Sequence, residues 1–327
     1  MKIRAIRVHK TGAPSVMKWD RIELAGPGPE QVLIRHTAIG FNLIETYIRK
    51  GLFPVPTLPV GLGAEGVGVI EAVGRRGKGF KPGQRVAYCS GDLSDAYSEA
   101  RLRGTDGLIK LPAWLDDRTA AALLAKGETV QFLFNSTHKL KKGERILFHA
   151  AAGGIGLIAC QWARDVGARM IGVVSSEAKA RLAKRHGCKH VIVTSGQNIT
   201  EEVMRITKGE GVDVVYDSIG KDFWEDSLQS VKPLGLVVSF GSASGMPPPV
   251  DLALKGREKS AFFTRASKNN YITSDEIRQS SARALFRMIK KGAIKPVIGQ
   301  TYALKDAAKA HRDAEARRTT GSTLLIP

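Results

Sequence analysis

The sequence predicts an α/β protein in which a parallel, doubly wound sheet is joined to a smaller, partly open β-barrel. From Gln131 onward, short Val- and Ile-rich segments alternate with segments of helical periodicity, a pattern typical of a parallel sheet with helices on both faces. Before Leu124, apolar and polar residues alternate between glycine- and proline-containing turns, which indicates antiparallel strands that curve into a barrel. The 327 residues, of which 43% are hydrophobic, suffice for two domains.

The individual elements follow from the same patterns. In the first part, alternation predicts strands within 1–35 and around 61–74 and 81–87, and helical spacing predicts helices at 42–50 and 116–124. In the second part, we expect strands at 146–150, 169–174, 190–194, 212–217 and 235–240, with helices that start near Gly154, Glu177, Ile199 and Asp222. A last apolar strand at 261–264, a long helix at 274–292 and a closing strand at 321–326 complete the chain.

A glycine-containing turn lies at the centre of the second part. Ala151, Gly153 and Gly156 occupy the frame G-x-G-x-x-G, with alanine in place of the first glycine, after a short apolar strand and at the start of a helix. In this setting Gly153 lets the backbone approach a pyrophosphate, and Gly156 lets the helix pack on the strand. The motif therefore predicts a dinucleotide site. A membrane span is excluded because small residues and His149 interrupt a run of only about 18 residues.

The end of the second predicted strand indicates which dinucleotide is bound. NAD-specific folds place an acidic residue there, about 20 residues past the glycines, to bind the ribose 2′-hydroxyl. This chain has Ser175 and Ser176 at that point, followed by Lys179. Hydroxyls and an ammonium suit a 2′-phosphate, whereas a carboxylate would repel it. Glu177, the nearest acid, falls in the first helical turn, where acids favour the helix dipole. We therefore predict NADPH rather than NADH.

Charge and cysteine content limit the partners and the compartment. The net charge of +19 is spread along the chain, which indicates a solvated surface more than a nucleic-acid footprint. Cys89, Cys160 and Cys188 lack C-x-x-C spacing, so a disulfide framework and a four-cysteine zinc site are excluded and a reducing cytoplasm is expected. The first residues show no signal-peptide pattern, and we expect neither export nor membrane association.

Five segments carry a resemblance to a known family. They are HAAAGGIGL at 149–157, GFNLIETYIR at 40–49, AKGETV at 125–130, YDSIG at 216–220 and VSFG at 238–241. Together they resemble the zinc-independent NADPH:quinone oxidoreductases related to zeta-crystallin, in the medium-chain dehydrogenase/reductase superfamily. The resemblance extends over essentially the whole chain. It implies a GroES-like catalytic domain at 1–124, a Rossmann NADPH-binding domain at 125–259, and a segment at 260–327 that adds the last sheet strand and returns to the catalytic domain.

The resemblance also implies site residues, with the nicotinamide in the cleft between the two domains. The expected catalytic residues are Asn42, Tyr47 and Lys126, and the expected substrate-binding residues are Phe53 and Phe240. The expected cofactor-binding residues are Thr129, Gly153, Gly154, Ile155, Ser175, Ser176, Lys179, Thr194, Ser218, Phe240, Gly241 and Arg317. Hydride transfer to a quinone, or to an activated enone, is the implied reaction. A homodimer that pairs through 261–264 is the implied assembly.

No metal is expected. Zinc alcohol dehydrogenases of the same superfamily have a histidine before the glutamate that matches Glu65, and a cysteine in the loop that matches 40–43. Ala64 and Asn42 stand at these positions and cannot supply the N and S ligands of a catalytic zinc. We interpret the seven histidines, including His149 beside the glycines, as structural.

Several positions have alternative interpretations. Phe53 and Thr194 stand where close relatives commonly have tyrosines, so a hydroxyl is lost near the substrate and a ring is lost near the adenine-side ribose. Tyr47 and Phe53 could instead pack in the core, and Lys126 could be a solvated helix end. RNA binding, motivated by the net charge, and a structural crystallin-like role are the rival functions. Against RNA binding, the sequence shows no platform of interleaved aromatic and basic residues.

Overall fold

The structure is a computed structural model that describes residues 1–54, 57–77, 79–89, 95–252 and 257–327. The strands in chain order are β1 Lys2–Val8, β2 Met17–Glu23, β3 Gln31–Gly40, β4 Val60–Gly61, β5 Gly66–Val73, β6 Arg85–Tyr88, β7 Ala100–Gly104, β8 Ile109–Lys110, β9 Arg145–Phe148, β10 Arg169–Val174, β11 His190–Val193, β12 Val212–Asp217, β13 Val231–Ser239, β14 Phe262–Arg265, β15 Ile298–Ala303 and β16 Ser322–Ile326. The helices are α1 Leu43–Lys50, α2 Asp117–Phe132, α3 Gly154–Val166, α4 Glu177–Arg185, α5 Ile199–Thr207, α6 Trp224–Ser230, α7 Arg257–Lys259, α8 Lys268–Tyr271, α9 Asp275–Lys290 and α10 Ala307–Glu315.

Two compact units divide the chain. The first consists of 1–128, 274–283 and 296–327, and the second of 129–273 and 284–295. The boundary at 128/129 lies inside α2, as does the boundary at 124/125 expected from the sequence. The prediction that this helix ends at Leu124 is wrong, because α2 continues to Phe132. Gly127, Thr129 and Val130 have low helix propensity, but burial of Val130 and Phe132 keeps the segment helical.

The first unit contains the barrel-like sheets. A three-stranded sheet has the order β2-β1-β4, and a seven-stranded sheet has the order β15-β16-β3-β5-β6-β8 with β7 paired to β3. Most of its pairs are antiparallel, as the alternating pattern predicts, and β15 with β16 is the parallel exception. The buried side chains between these strands form one apolar cluster, which includes Ile34, Ile70 and Val86.

The second unit is a parallel sheet in the order β11-β10-β9-β12-β13-β14. This order is that of the doubly wound dinucleotide-binding fold, in which ligands bind outside the carboxyl ends of the strands. Leu147, Ile171 and Val215 are fully buried between the sheet and its helices, which explains why these strands are continuously apolar in sequence. The predicted fold class is confirmed. Among the described residues, no helix combines the length and the apolar character needed to cross a bilayer.

Candidate active site

The first group of candidate residues lies where β3 leads into α1. Gly40 ends the strand, and Asn42 immediately precedes the helix. The backbone N–H of Asn42 donates to the Glu45 carboxylate at 2.7 Å, so an acid in the first turn satisfies one of the groups that a helix start leaves without a partner. The side-chain nitrogen of Asn42 donates to Glu65, at 2.9 Å from Oε1.

Glu65 brings two of the predicted catalytic residues together. Besides Asn42, the Lys126 ammonium donates to the same Oε1 at 3.0 Å, and the backbone N–H of Ala125 donates to Oε2 at 3.2 Å. Lys126 is only 6% exposed, so the interpretation of this lysine as a solvated helix end is wrong. Its charge is buried and paired, as buried charges in proteins must be.

Sequence reasoning did not predict a role for Glu65. Its partners lie 23 and 61 residues away, so no local spacing connects them. One signal was present: Glu65 is the single charged residue in a run of apolar and small residues at 59–70. A carboxylate inside a buried segment requires a partner, and this requirement could have led to Lys126.

A second buried carboxyl group, Glu45, lies in the first turn of α1 and contacts the backbone of Asn42 and the backbone next to Glu65. Its oxygens accept from the backbone N–H groups of Asn42 and Ala64, the latter at 3.1 Å. Burial raises the pKa of Glu45 to about 7, and the nearby Glu65 charge also raises it. Burial likewise raises the pKa of the Tyr97 hydroxyl, with smaller contributions from Glu45 and Glu65. Ala64 thus contributes a backbone donor at the position where zinc enzymes carry a histidine ligand.

Tyr47 and Phe53 form an aromatic pair at the other end of α1. Their ring centroids are 5.9 Å apart and the ring planes make an angle of 26°. Tyr47 is part-buried, whereas Phe53 is 42% exposed, so the interpretation of Phe53 as a core residue is wrong. Gly51 ends the helix in a left-handed conformation and turns the chain back, so that Phe53 can reach the tyrosine ring.

In the second unit, the glycine motif forms the predicted strand-turn-helix. β9 ends at Phe148, and Gly153 caps α3 with extended backbone angles. A Cβ atom on Gly156 would lie 2.4 Å from the Ala150 carbonyl oxygen, so only glycine allows this close packing. Gly153, Gly154 and Ile155 are partly exposed at the helix start. Their arrangement fits a dinucleotide pyrophosphate, because the first N–H groups of a helix attract an anion.

The residues after β10 fit a 2′-phosphate. The Lys179 ammonium donates to Ser175 Oγ at 3.1 Å, which places a cation and a hydroxyl side by side at the carboxyl end of the strand. Ser176 caps α4 by accepting from the backbone N–H of Lys179. Glu177 is exposed in the first turn of the same helix. Thr194 donates to the Val174 carbonyl through both its N–H and its hydroxyl, so it borders the same strand end.

A third group lies at the carboxyl ends of β12 and β13. The N–H of Phe240 donates to the Asp217 carbonyl at 2.8 Å, and a Cβ atom on Gly241 would lie 2.5 Å from the Ser218 carbonyl oxygen. Ser218, Phe240 and Gly241 are therefore neighbours. Arg265, which sequence reasoning missed, donates to the Gly241 carbonyl at 2.7 Å and holds this loop.

Two predicted cofactor residues lie apart from these groups in the chain. Thr129 lies on α2 at the start of the second unit, and Arg317 follows α10 in the first unit. Arg317 is exposed and has a left-handed backbone, with φ of 57°.

His149 is buried within a chain of hydrogen bonds beneath the glycine turn. Its Nε2 contacts Ser227 Oγ at 2.9 Å, and Ser227 donates to the Asp217 carboxylate at 2.9 Å. That carboxylate also accepts the N–H groups of Ile219 and Gly220. Burial lowers the pKa of His149 and favours the neutral ring. Through Ser227 and Asp217, its hydrogen bond helps to hold the loop after β12. Within the described ranges, no group of three or more His, Cys, Asp or Glu residues is arranged to hold a metal ion.

Comparison with known proteins identifies the family. Two family models match: "Alcohol dehydrogenase GroES-like domain" over 28–124 and "Zinc-binding dehydrogenase" over 154–279. A quinone oxidoreductase of Pseudomonas aeruginosa is 48% identical over 99% of both chains. A 2-haloacrylate reductase of a Burkholderia species is 41% identical over 99% of both chains.

A solved structure extends the comparison to three dimensions. The crystal structure of an Escherichia coli quinone oxidoreductase complexed with NADPH superimposes with a TM-score of 0.96, at 43% identity, over 99% of this chain and all of the other. The predicted resemblance is thereby confirmed. The chain belongs to the quinone oxidoreductases of the medium-chain dehydrogenase/reductase superfamily.

Proposed function

We propose that this protein catalyses the NADPH-dependent reduction of quinones. The observation that carries the proposal is the pair of donors, Asn42 and Lys126, held on one buried carboxylate in a chain whose full-length relatives include quinone oxidoreductases. The sequence-based prediction of an NADPH:quinone oxidoreductase is confirmed by these relatives, among them one crystallised with NADPH.

The residues of the second unit would hold the cofactor. Gly153, Gly154 and Ile155 would bind the pyrophosphate through backbone N–H groups, and Ser175, Ser176 and Lys179 would bind the 2′-phosphate. When bound, NADPH supplies the hydride. The remaining proposed contacts to the cofactor are those of Thr129, Thr194, Ser218, Phe240 and Gly241, together with Arg317 of the first unit. We propose these remaining contacts from the resemblance alone. The hydrogen bond from Lys179 to Ser175 supports the proposed binding of the 2′-phosphate.

The residues of the first unit would act on the acceptor. A quinone that accepts a hydride gains negative charge on its oxygen, and the ring delocalises this charge. A cation and hydrogen-bond donors at fixed positions therefore suffice to stabilise it, without a metal or a strong general acid. We assign this role to Lys126, Asn42 and the Tyr47 hydroxyl. From the resemblance, we also propose that Phe53 and, from the second unit, Phe240 contribute apolar surface to the binding of the quinone ring.

Activated enones are a second acceptor class within the same proposal. A conjugated carbonyl compound that accepts a hydride at its β-carbon also places the developing charge on an oxygen, so the same donors would stabilise it. The relative named as a 2-haloacrylate reductase supports this extension, because its name specifies an acrylate. RNA binding, the rival function, is not favoured, since several full-length relatives are named as oxidoreductases.

Assembly and location belong to the same proposal. β14 is the edge strand of the parallel sheet, and its Phe262 is 63% exposed. An exposed apolar edge favours pairing with a second copy about a two-fold axis, so we propose a homodimer. The three cysteines are buried and form no disulfide bond, which fits the cytoplasmic location that we propose.

The function is tested by following the absorbance of reduced nicotinamide. NADPH and NADH would each be offered with a benzoquinone, a conjugated enone and a simple aldehyde. We expect rapid oxidation of NADPH with the quinone, slower oxidation with the enone, and none above background with the aldehyde. Equal rates with the aldehyde and the quinone would contradict the proposal. A salt titration of RNA binding in parallel would separate electrostatic adhesion from a specific site.

A further inference from the structure

We propose that Glu65 is a positioning residue that sets the spacing of the two donors, Asn42 and Lys126, which would bind the acceptor oxygen. This inference rests on the proposed quinone reductase function. Three hydrogen bonds support it, at 2.9 Å from Asn42 Nδ2, 3.0 Å from Lys126 Nζ and 3.2 Å from the Ala125 N–H.

The shared oxygen determines how far apart the donors are. Because both nitrogens lie within 3.0 Å of Glu65 Oε1, they are no more than about 6 Å from each other. An acceptor oxygen can receive hydrogen bonds of about 2.9 Å from two donors only when the donors are closer than about 6 Å. The amide of Asn42 has a second N–H, and the ammonium of Lys126 has two more. The pair on Glu65 thus meets the distance requirement for two donors to one acceptor oxygen, and each group keeps an N–H beyond the one given to Glu65.

The backbone around Glu65 fixes the carboxylate itself. A Cβ atom on Gly40 would lie 2.0 Å from Glu65 Oε1 and 2.3 Å from its Cδ, so a side chain at position 40 would displace the group. On the other side, the Ala125 N–H binds Oε2 and fixes the orientation of the carboxylate plane. Gly40 and Ala125 are thus part of the same arrangement.

Burial makes the arrangement rigid. Glu65 is 1% exposed and Lys126 is 6% exposed, so neither charge can exchange its partner for water without a large cost in free energy. The opposite charges remain paired, and this pairing restricts the Lys126 side chain to few rotamers. A surface lysine would instead sample many rotamers and would lose entropy on binding the acceptor.

The test compares Glu65→Gln with a control on β5, the strand that begins directly after Glu65. Glu71→Gln removes an exposed carboxylate from β5 that pairs with Arg35. We expect Glu65→Gln to lower kcat/KM for a benzoquinone by about 10- to 100-fold, the effect of losing a charge-assisted contact. NADPH binding, measured by nicotinamide fluorescence, should remain within about twofold of that of the parent protein, because Glu65 has no role in holding the phosphates. Glu71→Gln should change neither quantity.

A double variant separates positioning from a general structural role. If Glu65 acts through Lys126, then Glu65→Gln combined with Lys126→Met should be no slower than the slower single variant, since residues that work as a unit are not additive. Independent, multiplicative losses would overturn the inference. So would a Glu65→Gln enzyme with the parent's kcat/KM.

Two further outcomes have defined meanings. If the parent protein itself reduces no quinone, the proposed function fails, and the NADPH-binding measurement still reports on the cofactor site. If Glu65→Gln does not fold, Glu65→Asp takes its place. Aspartate keeps the charge but withdraws it by one methylene group, so kcat/KM for the quinone should again fall by about tenfold. Wild-type kinetics in Glu65→Asp would overturn the inference.

Discussion

The two units of the protein hold their candidate residues by different means. In the second unit the backbone forms much of the candidate site: Gly156 and Gly241 each lie where a Cβ atom would meet a carbonyl oxygen at 2.5 Å or less, and helix starts supply N–H groups beside the side chains of Ser175 and Lys179. In the first unit side chains hold one another, as Glu65 holds Asn42 and Lys126. A cofactor phosphate can thus be bound by backbone N–H groups at a helix start. The donors proposed for the acceptor are side chains, and a buried partner is needed to hold them in place.

Gly156→Ala would break the backbone side of this comparison. The added Cβ would lie 2.4 Å from the Ala150 carbonyl oxygen and 2.6 Å from two Ala151 backbone atoms, which cannot move as a flexible side chain could. We expect a loss of about 3 kcal/mol in the free energy of unfolding, together with loss of measurable NADPH binding. Urea unfolding and nicotinamide fluorescence measure the two effects.

Gly196→Ala is the matched control for that substitution. A Cβ at position 196 would have no atom within 4 Å, and its backbone does not require glycine. Its stability and its NADPH affinity should match those of the parent protein. If Gly156→Ala were as stable as Gly196→Ala, the backbone account of the cofactor site would be wrong.

The buried side chains of the first unit predict a pH dependence of stability. His36 contacts the Ser98 carbonyl and the Tyr88 hydroxyl, and burial lowers its pKa from 6.5 to about 4. A pKa that is lower in the folded state means that stability is present above pH 6.5 and is lost as the pH falls toward 4. This fall in the pKa of His36 corresponds to about 3 kcal/mol in the free energy of unfolding. Glu45, whose burial raises its pKa to about 7, has the opposite sign: its contribution is lost as the pH rises from 4.5 to 7.

A variant at His36 isolates one of these opposing contributions. His36→Asn should be less stable than the parent at pH 7, because the contacts at Ser98 and Tyr88 are weakened. The deficit should shrink by about 3 kcal/mol between pH 6.5 and pH 4, since asparagine does not take up a proton. Urea unfolding at several pH values measures it. A deficit that stays constant with pH would show that His36 does not titrate in this way.

Lys179→Ala sharpens the cofactor side of the comparison. The ammonium contacts Ser175 Oγ at 3.1 Å, next to the expected 2′-phosphate. Loss of a charge-assisted contact is worth about 1.5–3 kcal/mol, so the Michaelis constant for NADPH should rise about ten- to hundredfold while that for NADH stays nearly unchanged. Initial-rate kinetics with both cofactors decide it. An equal loss with both would mean that Lys179 does not contact the phosphate.

The smallest predicted effect concerns the stacked pair, Tyr47 and Phe53. Phe53→Tyr adds a hydroxyl to an exposed ring at 5.9 Å from the Tyr47 ring, and we expect small benzoquinones to be reduced about two- to tenfold faster. Tyr47→Phe should slow them by a similar factor. Kinetics with a small and a large quinone provide the comparison. Unchanged selectivity in a folded Phe53→Tyr would exclude a contact between Phe53 and the acceptor.

The difference between the units also explains how much the sequence could predict. The strands of the parallel sheet, the glycine turn and Ser175 with Lys179 were predicted because backbone requirements leave a fixed spacing along the chain. Glu65 was not, because Asn42, Glu65 and Lys126 are separated by 23 and 61 residues and meet only after the sheet has formed. The end of α2 was misjudged because burial of Val130 and Phe132 outweighs the weak local propensity.

Arg265 shows a second kind of limit. It is one residue in the edge strand β14, and its contact with the Gly241 carbonyl depends on the order of the strands in the sheet. Nothing in the local sequence distinguishes this arginine from the many other basic residues of the chain. Tertiary structure was needed to find it.

We propose that the two units make separable contributions: Lys179 sets the preference for NADPH over NADH, and Lys126 stabilises the charge on the acceptor oxygen. A double-mutant cycle of Lys179→Ala and Lys126→Met, with kcat/KM measured for NADPH and for a benzoquinone, tests it most directly. We predict that Lys179→Ala changes mainly the NADPH value and Lys126→Met mainly the quinone value. Their effects should add to within about 0.5 kcal/mol. A coupling energy well above 1 kcal/mol, or a loss of NADPH selectivity in Lys126→Met alone, would contradict the account.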